Sequence, residues 1–286
     1  MQPILYKHFL LTIIEDLKWY GKWLYSIFKF ALMIKRKDKK VMQKPQIVKS
    51  KKPPSRHEVW KMFNRIARWY DMLNHTLSLG RDIAWRKRVA NYLPHRDNLS
   101  LLDLATGTGD LLLSLYQTAD TIESGVGLDM AENMLTIATK KINQNKLQNS
   151  LSVVRGNVLA IPFNDSSFDV VSIAFGIRNV SDVSLGLREM YRILKPQGKA
   201  LILEFSLPAN SLVRRVYLLY FHYLLPLIGS LISGDRHAYK YLNRTVETFP
   251  YGDRFCKVME NAGFDNVEAH PLTLGIATIY QGTKVE

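Results

Sequence analysis

A single cysteine, Cys256, stands in 286 residues. No internal disulfide can form and no thiolate zinc site can be assembled, which fits a reducing compartment. Glycine (16) and proline (11) are near average usage, and the 47% hydrophobic and 22% charged residues are ordinary globular values. Collagen, coiled coil and wholesale disorder are thereby excluded. The N-terminal region offers no clean apolar run of the ~20 residues a spanning helix needs. Phe9 to Ile14 is free of charge, but Glu15, Asp16, Lys18, Lys22 and Lys29 interrupt the rest of the apolar stretch. A cleaved signal peptide fits no better, because charges sit inside its apolar region and no small-residue cleavage site comes after it.

Acidic residues are scarce in one place only. The net charge is +14, and the first 56 residues hold fourteen Lys or Arg against Glu15, Asp16 and Asp38, a net of +11. The remainder is nearly neutral at +3. Within residues 1–34, Leu10, Ile13, Ile14, Leu17, Leu24, Phe28, Ala31 and Leu32 recur at helical spacing with Trp19 and Trp23 flanking. That pattern suits a helix lying in a membrane interface, and equally a helix packing on its own domain. The adjacent Lys35, Arg36, Lys37, Lys39 and Lys40 favour an anionic leaflet, since each basic residue near one is worth ~1 kcal/mol. Residues 35–56, with Pro45, Pro53 and Pro54, read as a basic flexible linker.

From residue 57 to 286 strand-like and helical patterns alternate. Leu99 to Leu104, Ser124 to Leu128, Leu151 to Arg155, Phe168 to Phe175, Lys199 to Phe205, Phe264 to Ala269 and Leu274 to Tyr280 are the strand candidates. Helices are expected from Asp110, over Ala131 to Asn143 and Asp182 to Leu194, and over Pro250 to Ala262 with Pro in the first turn. The alternation predicts an α/β fold, a doubly wound and mostly parallel sheet with helices on both faces. Ligands bind such sheets at the carboxyl ends of the strands.

At that edge the sequence runs Asp103-Leu104-Ala105-Thr106-Gly107-Thr108-Gly109-Asp110. Gly107 and Gly109 let the backbone approach a ligand, and the adjoining helix start presents free N–H groups. Asp129, with Met130 after it, ends the next strand where an acid accepts hydrogen bonds from ribose hydroxyls. The position of a dinucleotide fingerprint's third glycine holds Leu112. Asp103 would repel a pyrophosphate yet suits a cofactor whose amino-acid tail carries an ammonium, as S-adenosylmethionine does. Purely structural duties, Asp103 pinning the loop and Asp129 capping the next helix, remain open beside this. Asn157 and Val158 come directly after the third strand, placed to meet an adenine edge and face.

Three segments then carry a resemblance. Phe63-Asn64-Arg65-Ile66-Ala67, Tyr70-Asp71-Met72-Leu73-Asn74, Leu77-Ser78 and Trp85-Arg86 form the first. The second runs from Phe175-Gly176-Ile177-Arg178-Asn179-Val180 through Met190 to Gly198 and Leu203-Glu204-Phe205-Ser206. The third comprises Leu225 to Leu231, Tyr239 to Leu242 and Phe249-Pro250. From residue 57 on, the chain resembles the menaquinone/ubiquinone biosynthesis C-methyltransferases. It departs from their pattern at Leu73 (usually Met), Asp82 (often His) and Gln197 (usually Gly). The resemblance implies a Rossmann-like class I fold, S-adenosylmethionine as cofactor, and C-methylation of a prenylated quinol, with demethylmenaquinol ahead of 2-methoxy-6-polyprenyl-benzoquinol. By position it puts Thr108, Asp129, Asn157, Val158 and Ala174 at the cofactor, Tyr70 and Asp71 in a segment folding over it, and Arg178 at the substrate.

Methylating a quinol carbon requires a proton acceptor and a stabiliser of developing anion. Arg178, protonated at neutral pH, is the expected stabiliser or orienter of a relay water; a surface pair with Asp182 is the alternative. Asp71, His75, His222 and water compete as acceptor. Val216 to Gly234 carries no Asp, Glu, Lys or Arg over 19 residues, yet Pro226 and Gly229 interrupt it. We read it as part of an inserted helical cap, about 210–245, with Tyr220, Leu224 and Leu225 among the residues lining a route for a prenyl tail. Core packing explains the same residues. The expected partners are a prenylated quinol and an anionic membrane surface at the inner face of the membrane, with a homodimer allowed. A nucleic-acid methyltransferase gripping phosphates with the basic arm is the rival reading; it requires Lys, Arg and exposed aromatics near the crevice. Nucleic acid is therefore not expected as a partner.

Overall fold

The structure, a computed structural model, describes residues 58–224 and 245–285, apart from the side chains at 69, 73, 76, 77, 223 and 224. The chain divides into two units, Met1–Lys51 and Lys52–Glu286. The interfacial helix expected over 1–34, the linker over 35–56 and the cap beyond 224 lie outside the described residues.

The elements run in the order α1 (Val59–Ser78), α2 (Arg81–Val89), β1 (Leu99–Leu104), α3 (Asp110–Thr118), β2 (Ile122–Asp129), α4 (Glu132–Gln144), β3 (Leu151–Arg155) and β4 (Phe168–Ala174). Then come α5 (Val183–Ile193), β5 (Leu194–Phe205), α6 (Ser211–Leu219), α7 (Asp253–Glu260), β6 (Asp265–Leu272) and β7 (Ala277–Thr283). They build one seven-stranded sheet in the order β3-β2-β1-β4-β5-β7-β6. The first five strands are parallel, and β7 runs antiparallel to both neighbours. The sequence places no helix between the last two strands, so no crossover can return the chain and they close as a hairpin.

Residues alternate along each strand and feed two cores. Leu102 and Leu104 of β1 join Met190 and Ile193 of α5 and Phe255 and Met259 of α7 on one face. Leu99 and Leu101 join Trp85 and Val89 of α2 and Leu112 and Leu115 of α3 on the other. With both faces covered, β4 is buried at every position from Phe168 to Ile173, its two polar residues Asp169 and Ser172 included. Helix α7 begins at Asp253, so Pro250 precedes it instead of sitting in its first turn. Gln197 adopts φ +62, the left-handed conformation that favours glycine, and its backbone and side chain both bond the C-terminal residues, to Lys284 O at 2.6 Å and Val285 O at 3.0 Å.

Helix α1 returns across the carboxyl ends of the strands. Ala67 packs with Ala131 and Met134 of α4, and Asn64 bonds Asn133 twice, accepting from its N–H at 2.7 Å and from its side-chain amide at 3.0 Å. Val59 and Met62 meet Tyr217 and Phe221 from the α6 segment, where the helix widens to a π-turn over Tyr220–Leu224.

Candidate active site

The strand ends and α1 enclose a cavity of about 900 Å³, counting its open mouth. Ala105, Gly107, Asp129, Met130, Asn157, Val158 and Ala174 line it from the sheet edge, and Tyr70 lines it from α1. Those eight are expected site residues. Sequence reasoning missed most of the apolar lining: Val59, Trp60 and Phe63 of α1, Met134 of α4, Leu159, Phe175 and Val180. The signal for part of it was present, since Phe63, Ala67 and Tyr70 recur at helical spacing on one face of α1.

Asp129 takes the helix-start role weighed from the sequence and holds the glycine loop as well. One oxygen accepts from Ala131 N at 2.8 Å, starting α4, and the other from Gly107 N at 2.9 Å, holding the glycine loop. A carboxylate has about four acceptor sites, so capacity remains for hydroxyl donors in the cavity it lines. Burial pushes its carboxyl above the ordinary value against the pull of the Ala131, Gly107 and Met130 amides. Asn157, which lines the cavity, spends its side-chain carbonyl on Leu159 N at 3.0 Å. Gly176 is where the fourth strand's loop meets the first: a Cβ there would come within 2.8 Å of Ala105 Cβ.

Several expected residues sit behind the wall instead of on it. Asp103 is buried, and its oxygens accept from Thr106 Oγ1 at 2.6 Å and Ser172 Oγ at 2.7 Å. Burial, opposed by these two hydroxyls, pushes its carboxyl up to about 6. It ties the loop to β4, where Ser172 is its register partner, and is not among the residues that line the cavity. Gly109, at φ +81, serves helix packing, because a Cβ would lie 3.2 Å from Ala138 Cβ of α4. Thr108 is buried and donates to Asp71 at 2.6 Å.

Asp71 in turn pairs with Lys141 at 2.7 Å, Lys141 with Asp110 at 2.5 Å, and Asp110 with Arg86 at 3.9 Å. Arg86 bonds Asp82, which also meets His75 at 2.8 Å. Burial would raise the Asp82 carboxyl, but Arg86 and Ser78 outweigh it and hold it below its ordinary value. This chain of alternating charge binds α1, α2, α3 and α4 beneath the glycine loop. It engages Asp71 and His75 in ion pairs and gives the acid at position 82 its cation. His222 is exposed and paired with Glu247 at 2.6 Å. Tyr220 packs with the α1–α6 cluster away from the cavity lining; the Leu224 side chain and Leu225 lie outside the described residues.

Arg178 is 5% exposed and does not line the cavity. Its Nη1 donates to Glu204 Oε1 at 2.6 Å and to Phe175 O at 2.6 Å, and its guanidinium lies 5.3 Å from the Phe205 ring centroid. Glu204, wholly buried at the end of β5, also accepts from Phe205 N at 2.8 Å. Asp182, the partner weighed from the sequence, caps α5 through Leu185 N at 2.9 Å. The pair pins the turn Ile177–Asn179, whose neighbours Phe175, Gly176 and Asn179 form the wall. The Arg178 charge still reaches Tyr70: burial raises that phenol, while Asn74, Arg178 and Arg86 pull it down.

Sheet order, antiparallel seventh strand, glycine loop and strand-end acid together define a class I S-adenosylmethionine-dependent methyltransferase. Among solved structures, a Thermotoga maritima S-adenosylmethionine-dependent methyltransferase superposes with TM-score 0.55 at 20% identity, covering 79% of this chain and 99% of that one. A Haloferax volcanii complex of the Trm112 activator with a methyltransferase gives 0.57 at 19%, covering 78% and 98%. These likenesses concern the fold.

The model of the ubiE/COQ5 methyltransferase family matches residues 47–284, and the chain belongs to that family. It is 43% identical over 227 residues to the Geotalea daltonii ubiquinone/menaquinone biosynthesis C-methyltransferase UbiE, covering 79% of this chain and 96% of that one. It is 38% identical over 228 residues to a Bacteroides fragilis demethylmenaquinone methyltransferase, covering 79% and 92%.

Proposed function

We propose that this enzyme methylates a ring carbon of a prenylated quinol, converting demethylmenaquinol to menaquinol at the inner face of the membrane. One observation carries the reading. The family's cavity here couples a polar floor of Asp129, Gly107 and Asn157 to a wall of Trp60, Phe63, Met134, Phe175 and Val180, apolar where an uncharged ring must lie. The name of the Bacteroides fragilis relative supports the naphthoquinol. The Geotalea daltonii relative's name supports the benzoquinol as a second reading.

S-adenosylmethionine supplies a methyl group already activated on sulfur. Asp129 holds its ribose hydroxyls, Asn157 and Val158 its adenine, and Gly107 lets the backbone approach. The remaining task is to hold the ring carbon in line and exclude water, which falls to α1 and its aromatic side chains. The Tyr70 phenol, raised by burial, keeps its proton and donates to the developing quinolate, within the positive field of Arg178 and Arg86. Asp71, His75 and His222 hold ion-pair partners off the wall, so the hydroxyl proton leaves to water at the cavity mouth. The hydrogen that the methyl group displaces from the ring carbon is then lost as a proton while the ring oxygen is reprotonated, one proton being released per methyl transferred.

Calorimetry with S-adenosylmethionine tests the cofactor reading. The wild type binds, and Asp129→Ala weakens binding tenfold or more, the scale of a lost charged hydrogen bond. Absence of binding by the wild type overturns the reading. The +11 carried by residues 1–56 supports an anionic membrane as partner. The nearly neutral remainder, with an aliphatic and aromatic cavity, speaks against nucleic acid.

A further inference from the structure

Helix α6 is apolar on two opposite sides, and only one of them is used. Tyr217, with Phe221 one turn on, packs against Val59, Met62 and Val246. On the far side Leu212, Val216 and Leu219, spaced four and three residues apart, are 67%, 41% and 55% exposed. Three large aliphatic side chains on one open stripe exceed the scattered single exposures normal on a monomer's surface. The helix carries no acid in Ser211–Leu219, and Arg215 flanks the stripe, exposed. Arg214, on the other side of the helix, is anchored by its Nε on Pro208 O at 2.8 Å. A further exposed aliphatic, Leu274, sits in a turn whose Gly275 abuts Pro208 and Ala209, the approach to α6.

We propose that this stripe is the face on which the catalytic unit rests in a bilayer carrying anionic headgroups, with Leu212, Val216 and Leu219 entering the acyl boundary and Arg215 meeting phosphates. An aliphatic stripe with a basic flank and no acid is complementary to that surface and to no water-facing role. The choice of a bilayer rests on the quinol reading, because a prenylated substrate resides there. Docking through α6 brings the catalytic unit to its substrate's own phase.

The test uses the full chain with Cys256→Ser and a nitrobenzoxadiazole label on Leu219→Cys, compared with the same label on Glu123→Cys, an exposed site at the start of β2. Vesicles of phosphatidylglycerol and phosphatidylethanolamine carry nitroxide lipids. The label at 219 is expected to shift to shorter wavelength and be quenched severalfold more than that at 123, and Leu212→Ser/Val216→Ser/Leu219→Ser is expected to lower vesicle partitioning about tenfold with S-adenosylmethionine affinity kept. Three results overturn the proposal: equal or absent quenching at 219, a sheltered label without vesicles in a sedimenting dimer, or a triple variant that loses thermal stability instead of partitioning. The last two assign the stripe to a second copy and to the chain itself. None of these readouts involves turnover, so failure of the quinol reading shows separately in the product assay.

Discussion

Breaking the Arg178–Glu204 pair should cost stability before it costs chemistry. Glu204 is fully buried and Arg178 5% exposed, with Arg178 Nη1 2.6 Å from Glu204 Oε1, and the guanidinium Nε, buried, makes no hydrogen bond among the described residues. Removing either member leaves an uncompensated buried charge, a loss of about 3–5 kcal/mol. For a unit of this size each kcal/mol moves Tm by about 2–4 °C, so Arg178→Met and Glu204→Leu should each lower it by about 6–20 °C. The double substitution replaces both charges with apolar volume and should recover much of the loss, since swapping a whole buried pair is often close to neutral. A urea-denaturation cycle over the four proteins reads the coupling as a departure from additivity of about 3 kcal/mol or more, because the two single losses do not sum in the double variant. Single losses below about 1 kcal/mol that simply add would refute the placement of this pair as the support of the cavity wall. Turnover of Arg178 variants has meaning only on the folded fraction.

Other substitutions separate wall from scaffold. Gly109→Ala meets φ +81 and Ala138 Cβ at 3.2 Å, so it should cost about 1–3 kcal/mol in urea denaturation while keeping S-adenosylmethionine affinity; the reverse pattern would return Gly109 to the cavity. The Asp103 carboxyl holds its proton more tightly folded, up to about 6, than unfolded, near ~3.9. Its contribution therefore favours the fold below about pH 4 and is lost as pH rises through about 6. The stability difference between wild type and Asp103→Asn should change across that window, and a flat difference from pH 4 to 7 would contradict the burial assigned to it. Asp71→Asn should weaken the Lys141 link, so it should lower thermal stability with only a modest effect on the pH profile of turnover; a lost acidic limb would restore Asp71 as proton acceptor.

Much of the sheet edge was legible because it is local. β1 and β3 form over the residues their apolar runs indicate, and Gly107, Asp129 and Asn157 lie at or within a few positions of their strand ends. What the sequence concealed is pairing across distance. Glu204 reaches Arg178 from the neighbouring strand, and Ser172 reaches Asp103 by sheet register. Trp60 and Phe63 enter the cavity only because α1 folds back over the strand ends, a return no strand–loop motif encodes. The same return explains Asp71, which looked like a free carboxylate beside Tyr70 until Thr108 and Lys141 were brought to it.

The most direct measurement is product analysis after incubating the wild type with trideuteriomethyl S-adenosylmethionine and an equimolar mixture of demethylated naphthoquinol, methoxy-benzoquinol and RNA. A trideuteriomethyl group on a ring carbon of the naphthoquinol, absent with Asp129→Ala, is the expected result. Label on RNA, on a quinol oxygen, or nowhere while S-adenosylmethionine binds would contradict carbon methylation of a lipid quinol at this cavity.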